Sequence, residues 1–360
     1  MKPKPLPEYQ RPPVRVALMG LGRAMFADHY PVFLKHPALF KVYAACDLIK
    51  QRRDIVAKDC PDCKMFRQLG DMLDERDIDI VDIATCTVDH VRHAMASLKK
   101  GFWTLLETPM ALTPDDAQFL RGQAVKAKNR LIVFQRGIFA PDFLLAKQMM
   151  SDPRLGRVHQ IVIRREEYQR RDDWQCVKRL GGGATAYGMG DLLLQALRLL
   201  PSPPIQMWSE LKRLASLGDA EDFAHVNLKT RDGVSADVEY NGGCVSVAPS
   251  PSFVVRGERG TFSVQPGATE GLLVCIDPDY ELPRRRSSVR TPPLRDMRPS
   301  EPVKTFTVSL PSNTLYGPSL FWRHVYDTVR TAKPFPLQLE ESMEVLRLVN
   351  LMKRSSPFGK

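Results

Sequence analysis

The sequence has no long apolar run. Nowhere do about 18 consecutive residues stay hydrophobic, so no membrane-spanning helix is expected. Its first residues, MKPKPLPEYQRPP, lack the apolar stretch of a secretion signal and read as an extended, Pro-rich basic arm over 1–13. Cysteine is sparse and poorly arranged for cross-linking. There are 7, an odd number at irregular spacing, so reduced thiols and a cytoplasmic location are expected. Cys60-Pro-Asp-Cys63 has the spacing of a redox motif or half a zinc site, but no second pair of matching spacing accompanies it. It is read as a loop, and no metal centre is expected.

Signatures of nucleic-acid modules are also missing, although the formal net charge is +11. The basic residues are scattered apart from RREEYQRR (164–171) and RRRSSVR (284–290). A solvated basic surface, or attraction of anionic small molecules, accounts for the charge. Neither a nucleic-acid nor a membrane partner is expected.

What is present is a chain of 360 residues, 43% hydrophobic and 26% charged, large enough for two domains. VRVALM (14–19), KVYAACD (41–47), IDIVDIATCT (78–87), FWTLLE (102–107) and RLIVFQ (130–135) are strand-like and apolar nearly throughout. Helical stretches at 48–58, 67–76, 89–100 and 113–128 separate them. Thr113 as N-cap, Pro114 at the first position and Asp116 in the first turn mark the start of the last. This alternation predicts a doubly wound parallel α/β sheet over 14–136. From 137 to 360 the pattern changes to strand-like pieces with turn signals, implying a mostly antiparallel sheet. Residues 277–303, rich in Pro and Arg, read as an exposed loop.

Gly20-Leu21-Gly22 follows the first strand and opens a helix, and Asp47 ends the second strand about 25 residues on. That is the dinucleotide fingerprint in its required context: a tight turn, close backbone approach to a pyrophosphate, and an acid for ribose hydroxyls. The third glycine position holds Met25, which must push the helix away or be compensated. Asp47 favours NAD slightly over NADP, since a carboxylate repels a 2′-phosphate; Lys50, Arg52 and Arg53 close behind it weaken that preference.

With these landmarks, and with LLETPMALT (105–113), SDPRLGRV (151–158), GGGATAYGMGDLLLQAL (181–197), RGERGTF (256–262) and a final RTAKPFPLQLEESMEVLRLV (330–349), the chain resembles the glucose–fructose oxidoreductase / inositol dehydrogenase family from Val14 to about Ser356. The resemblance implies an NAD(P)-dependent oxidoreductase acting on a sugar, cyclitol or related polyol, assembled as a dimer or tetramer, in which residues 137–360 form a second α/β domain with an open, largely antiparallel sheet. It places the cofactor against Gly20, Leu21, Gly22, Arg23 and Asp47, against Thr85, Cys86 and His90, and against Glu107 and Pro109. Arg136 and Trp174 lie on segments that line the cleft.

The resemblance also exposes departures. LLETP stands where such proteins have Glu-Lys-Pro, so Thr108 replaces the lysine that faces the reacting oxygen. The helix after the three glycines carries Tyr187 and Asp191 where an Asp and a His are usual. Spaced i and i+4, these two are expected on one helical face. A rebuilt relay would use Asp191 as base, its pKa raised by burial, with Tyr187 and Thr108 donating to the reacting oxygen. The alternative is a non-catalytic protein of the same fold that binds a dinucleotide or sugar as a sensor or partner module. Transient use of the nucleotide in glycoside cleavage is a third route, against which the same losses count.

Overall fold

The computed structural model describes residues 11–282, 301–312, 314–356 and 358. The first ten residues of the arm, RRRSSVR and most of the 277–303 stretch lie outside the described residues.

Six strands form the first sheet: β1 (Val14–Met19), β2 (Phe40–Cys46), β3 (Lys64–Phe66), β4 (Ile80–Ile83), β5 (Trp103–Glu107) and β6 (Leu131–Phe134). All run parallel, in the order β3-β2-β1-β4-β5-β6. Apolar residues on both faces of these strands need cover from both sides. It comes from α1 (Tyr30–Lys35), α2 (Lys50–Asp59), α3 (Leu69–Leu73), α4 (His90–Lys99) and α5 (Pro114–Lys126). Thr113 caps α5 as expected, its hydroxyl accepting from the Asp116 N–H at 3.1 Å. The edge strand β3 was not expected. It is three residues long and only partly buried, too short to carry a periodic signal. Cys60 and Cys63 lie in the turn before it and are free thiols, as the loop reading requires.

The second domain opens with α6 (Pro141–Met149), β7 (Val158–Glu166), α7 (Ala184–Tyr187) and α8 (Met189–Leu199). It continues through β8 (Pro204–Lys212), β9 (Phe223–Thr230), β10 (Ser235–Asn241), β11 (Phe253–Gly257), β12 (Gly260–Val264), β13 (Glu270–Ile276) and β14 (Val303–Ser309). The eight strands are ordered β14-β13-β12-β11-β7-β10-β9-β8 and are antiparallel except for β7 with β10. One face, carrying Ile161, Ile163, Val238, Phe253 and Phe262, is buried under α6 and α8.

The last two helices, α9 (Gly317–Thr331) and α10 (Leu339–Ser355), return to the first sheet. Trp322 of α9 is fully buried, its ring 4.5 Å from Phe33 and 5.5 Å from Phe40. Arg330 donates to the carbonyls of Pro12 and Pro13 and to Asp79, and Tyr326 donates to the Arg11 carbonyl. The described end of the arm is therefore fixed to its own chain.

Candidate active site

The glycine loop at the end of β1 has the geometry a dinucleotide needs. Gly20 sits at φ +88, where a side chain is strained, and a Cβ there would lie 2.7 Å from the Ala84 carbonyl. Gly22 is different. A Cβ on it would meet no described protein atom within 4 Å, so protein packing does not demand this glycine. The open space beside it suits the close approach of this backbone to a pyrophosphate. Asp47 is buried, with its two carboxylate oxygens accepting from the Leu21 and Ile49 N–H groups, each at 2.8 Å. It ties the glycine loop to the end of β2. Arg52 lies 3.5 Å from the same carboxylate, and Arg53 donates to the Asp47 carbonyl.

Met25, in the third glycine position, is fully buried, and the segment Met25–His29 is a π-helix. The compensation demanded by a large residue is thus a widened first turn. It delivers His29 to the interior. There the ring stacks on Phe134 at 3.9 Å, Nδ1 lies 2.9 Å from Asp82 Oδ2, and Nε2 lies 3.1 Å from Glu107 Oε1. Both ring nitrogens face carboxylate oxygens, which only the imidazolium satisfies with two N–H groups. Burial alone would lower the His29 pKa; the two carboxylates override it and push it up to about 10. No reading of the sequence singled out His29. The available signal was the pair of acids, Asp82 inside an apolar strand and Glu107 at a strand tip, each needing a partner.

Glu107 is therefore held from two sides, by His29 and by the Thr108 N–H at 2.8 Å. It fixes the tip of β5, and the Thr108–Pro109 peptide bond that follows is cis. His90 is buried, with Nδ1 2.8 Å from the Pro109 carbonyl and Nε2 3.0 Å from that of Thr85. It joins the two loops rather than reaching out of them. The Thr85 hydroxyl contacts His93 at 3.1 Å, and burial pushes the half-buried Cys86 thiol up.

The three glycines that precede α7 fill contacts that no side chain fits. A Cβ on Gly181 would lie 2.9 Å from Thr87 Cβ of the first domain, and Gly182 and Gly183 press on Gln175 and Glu221. The expected single face is corrected here. The helix breaks at Gly188, where a Cβ would lie 2.5 Å from the Tyr240 ring, so Tyr187 ends α7 while Asp191 lies in the first turn of α8. The two side chains diverge. Tyr187 packs edge-on to Tyr240 with ring centroids 5.5 Å apart, and the Arg171 guanidinium covers it at 4.4 Å. Burial pushes its hydroxyl up to about 12.

Asp191 turns toward the segment that follows β6. It packs on Gly137, where a Cβ would lie 2.8 Å from its own. Burial raises its pKa, and the charges of Arg136 and Arg165 draw it partly back. Its Oδ1 is buried without a hydrogen-bond partner among the described residues. Arg136 is paired with Asp28 at 2.9 Å and acts electrostatically on Asp191 and Glu107. Thr108 lines a small apolar cavity with Ala186, Gly190 and Val345, so β5, α8 and α10 meet at this point. Trp174 is half-buried, beside Gln175, whose Oε1 accepts from Arg23 of the glycine loop at 2.8 Å and also from Arg171. Arg23 and Gln175 thus span the crevice between the domains. Among the described residues no cluster of His, Cys, Asp and Glu fits a metal, and no helix is long and apolar enough to cross a membrane.

Two family models match this chain. The oxidoreductase family with an NAD-binding Rossmann fold matches residues 14–135, and the GFO/IDH/MocA C-terminal domain matches residues 143–263. An uncharacterized oxidoreductase of Schizosaccharomyces pombe is 28% identical over 258 residues, covering 69% of this chain and 70% of that protein. The scyllo-inositol 2-dehydrogenase (NADP(+)) of Bacillus subtilis is 20% identical over 352 residues, covering 95% of this chain and 94% of that protein. The WlbA dehydrogenase of Chromobacterium violaceum, solved with NADH and UDP-GlcNAcA, superposes with a TM-score of 0.75 at 21% identity, covering 97% of this chain and 95% of that one.

Proposed function

This chain belongs to the Gfo/Idh/MocA oxidoreductase family, with an NAD-binding Rossmann domain, and from that premise we propose that it oxidises or reduces a hydroxyl-bearing carbon of a sugar, cyclitol or related polyol through a non-standard proton relay. The bound nicotinamide supplies the hydride acceptor or donor. The chain's own residues do the rest. Gly20, Leu21, Gly22 and Arg23 receive the pyrophosphate, and Asp47 receives the adenosine ribose. NAD is slightly favoured over NADP, because the Asp47 carboxylate repels a 2′-phosphate.

Asp191 takes the proton from the reacting hydroxyl. The observation that carries this role is its buried Oδ1 without a partner, in a carboxyl group whose pKa burial raises. Thr108 offers a hydrogen bond at the tip of β5, and the Tyr187 hydroxyl, at the end of α7, is the second candidate donor. Arg136 and Trp174 line the substrate side.

A second reading is supported by the absence of Lys and His at Thr108 and Asp191: a binding protein that holds a dinucleotide or sugar without turnover. We also place the protein in the cytoplasm as a homo-oligomer, a dimer or tetramer. The test is turnover of nicotinamide with a panel of polyols and keto-sugars, following saturation with NADH or NADPH by calorimetry. Binding accompanied by turnover supports the enzyme. Tight nucleotide binding with no turnover across the panel would move the assignment to the binding protein.

A further inference from the structure

The stretch RREEYQRR is read from sequence as a solvated strand face, but β7 divides it by its period of two. Ile161 and Ile163 point into the core under α8, so Arg165 shares their face, two residues further along. It stands opposite Tyr240 of β10 in register, at the open end of the sheet where α8 begins. Its charge reaches the Asp191 carboxyl.

The groups around Arg165 are already engaged. Glu167 accepts from Tyr240 and Gln169, and Glu166 accepts from the Ser250 hydroxyl at 3.0 Å. Arg136 pairs with Asp28, and Arg171 covers Tyr187 and bonds Gln175. Arg165 alone among these side chains has no hydrogen bond or ion pair among the described residues, and it is exposed. Asp191, in the first turn of the helix that packs on β7 and β10, keeps its Oδ1 without a partner among the described residues. An acceptor suited to a hydroxyl and a free guanidinium therefore lie on two elements that pack together, α8 and β7, and the charge of one acts on the other.

A ligand that covered Arg165 without an anion would strip water from an unpaired charge, at a substantial cost. A guanidinium also matches a carboxylate or phosphate in two-point geometry. Resting on the oxidoreductase reading, we propose that Arg165 anchors an anionic group on the substrate, so that the crevice takes a sugar or cyclitol bearing a carboxylate or a phosphate. Asp191 then addresses a neighbouring hydroxyl of the same molecule. Arg165 sets specificity and binding; it takes no part in the proton transfer.

The experiment is calorimetric titration of the NADH-saturated protein with D-glucuronate, glucose 6-phosphate, glucose and myo-inositol, repeated on R165Q and R165K. The expected result is that one anionic ligand binds about 10- to 100-fold more tightly than the neutral pair. R165Q should abolish that preference while leaving NADH affinity unchanged, and R165K should restore part of it. Glucuronate and glucose 6-phosphate distinguish a carboxylate from a phosphate. No preference for either anion, including no binding by any of the four, overturns the proposal, as does a preference that survives in R165Q. Failure of NADH itself to bind would instead remove the oxidoreductase reading beneath it.

Discussion

His29 is fully buried and Asp191 half-buried with its Oδ1 out of reach of solvent; both feel the charge of Glu107, and the structure treats them in opposite ways. His29 is fully satisfied, with a carboxylate at each ring nitrogen. Asp191 keeps one oxygen without a partner among the described residues. A buried charge with complete partners acts as scaffold, because removing it leaves other charges exposed to a poor solvent. A buried acceptor left incomplete is costly unless a ligand completes it. The same contrast runs through the glycines: Gly20 is required by the protein's own atoms, Gly22 by none of them.

Asp191→Asn should break the comparison most sharply. It keeps the shape and removes the base, so turnover is expected to fall by about 10²- to 10⁴-fold with NADH affinity and melting temperature nearly unchanged. His29→Gln should do the reverse. It strips the cation from between Asp82 and Glu107 and is expected to destabilise the fold by about 3–5 kcal/mol in denaturant titration. The pH dependence follows from the sign of the shift. The His29 pKa is raised from 6.5 to about 10, so its stabilisation is complete below the lower value and is lost as pH rises through the upper one. Wild-type stability should therefore decline across that alkaline window, and the His29→Gln variant should lack that component.

Gly22→Ala sharpens the glycine contrast. No described protein atom would be disturbed within 4 Å, so melting should hardly change, while a Cβ in the space proposed for the pyrophosphate should lower NADH affinity by roughly tenfold or more. Thr113→Ala, far from the crevice, removes the cap of α5 and should cost only about 1 kcal/mol, with unchanged nucleotide binding.

The parallel sheet was legible because its strands are apolar on both faces and the helices between them carry start signals such as Thr113-Pro114. The glycine loop was legible because strand, turn, helix and acid occur in fixed order. Two kinds of feature were not. The three-residue edge strand β3 is too short for any period to show. The His29 network joins a helix to two separate strands, so the partners of Asp82 and Glu107 become visible only once the sheet places them together. Tyr187 and Asp191 were expected on one face from spacing alone. The Tyr240 ring against Gly188 breaks the helix between them, and a contact from a strand about 50 residues away leaves no local trace. The RREEYQRR segment shows the converse: the alternation from Ile161 and Ile163 already assigns Arg165 to the inner face.

The most direct test of the claim that Asp191 is the base is the pH profile of kcat for the wild type beside Asp191→Asn. The account predicts an acidic limb in the wild type above the ordinary carboxylate range, because burial raises the Asp191 pKa and the base must be ionised to act. That limb should vanish in the variant along with most of the turnover. An acidic limb that persists in Asp191→Asn, or a variant that turns over at the wild-type rate, would contradict it.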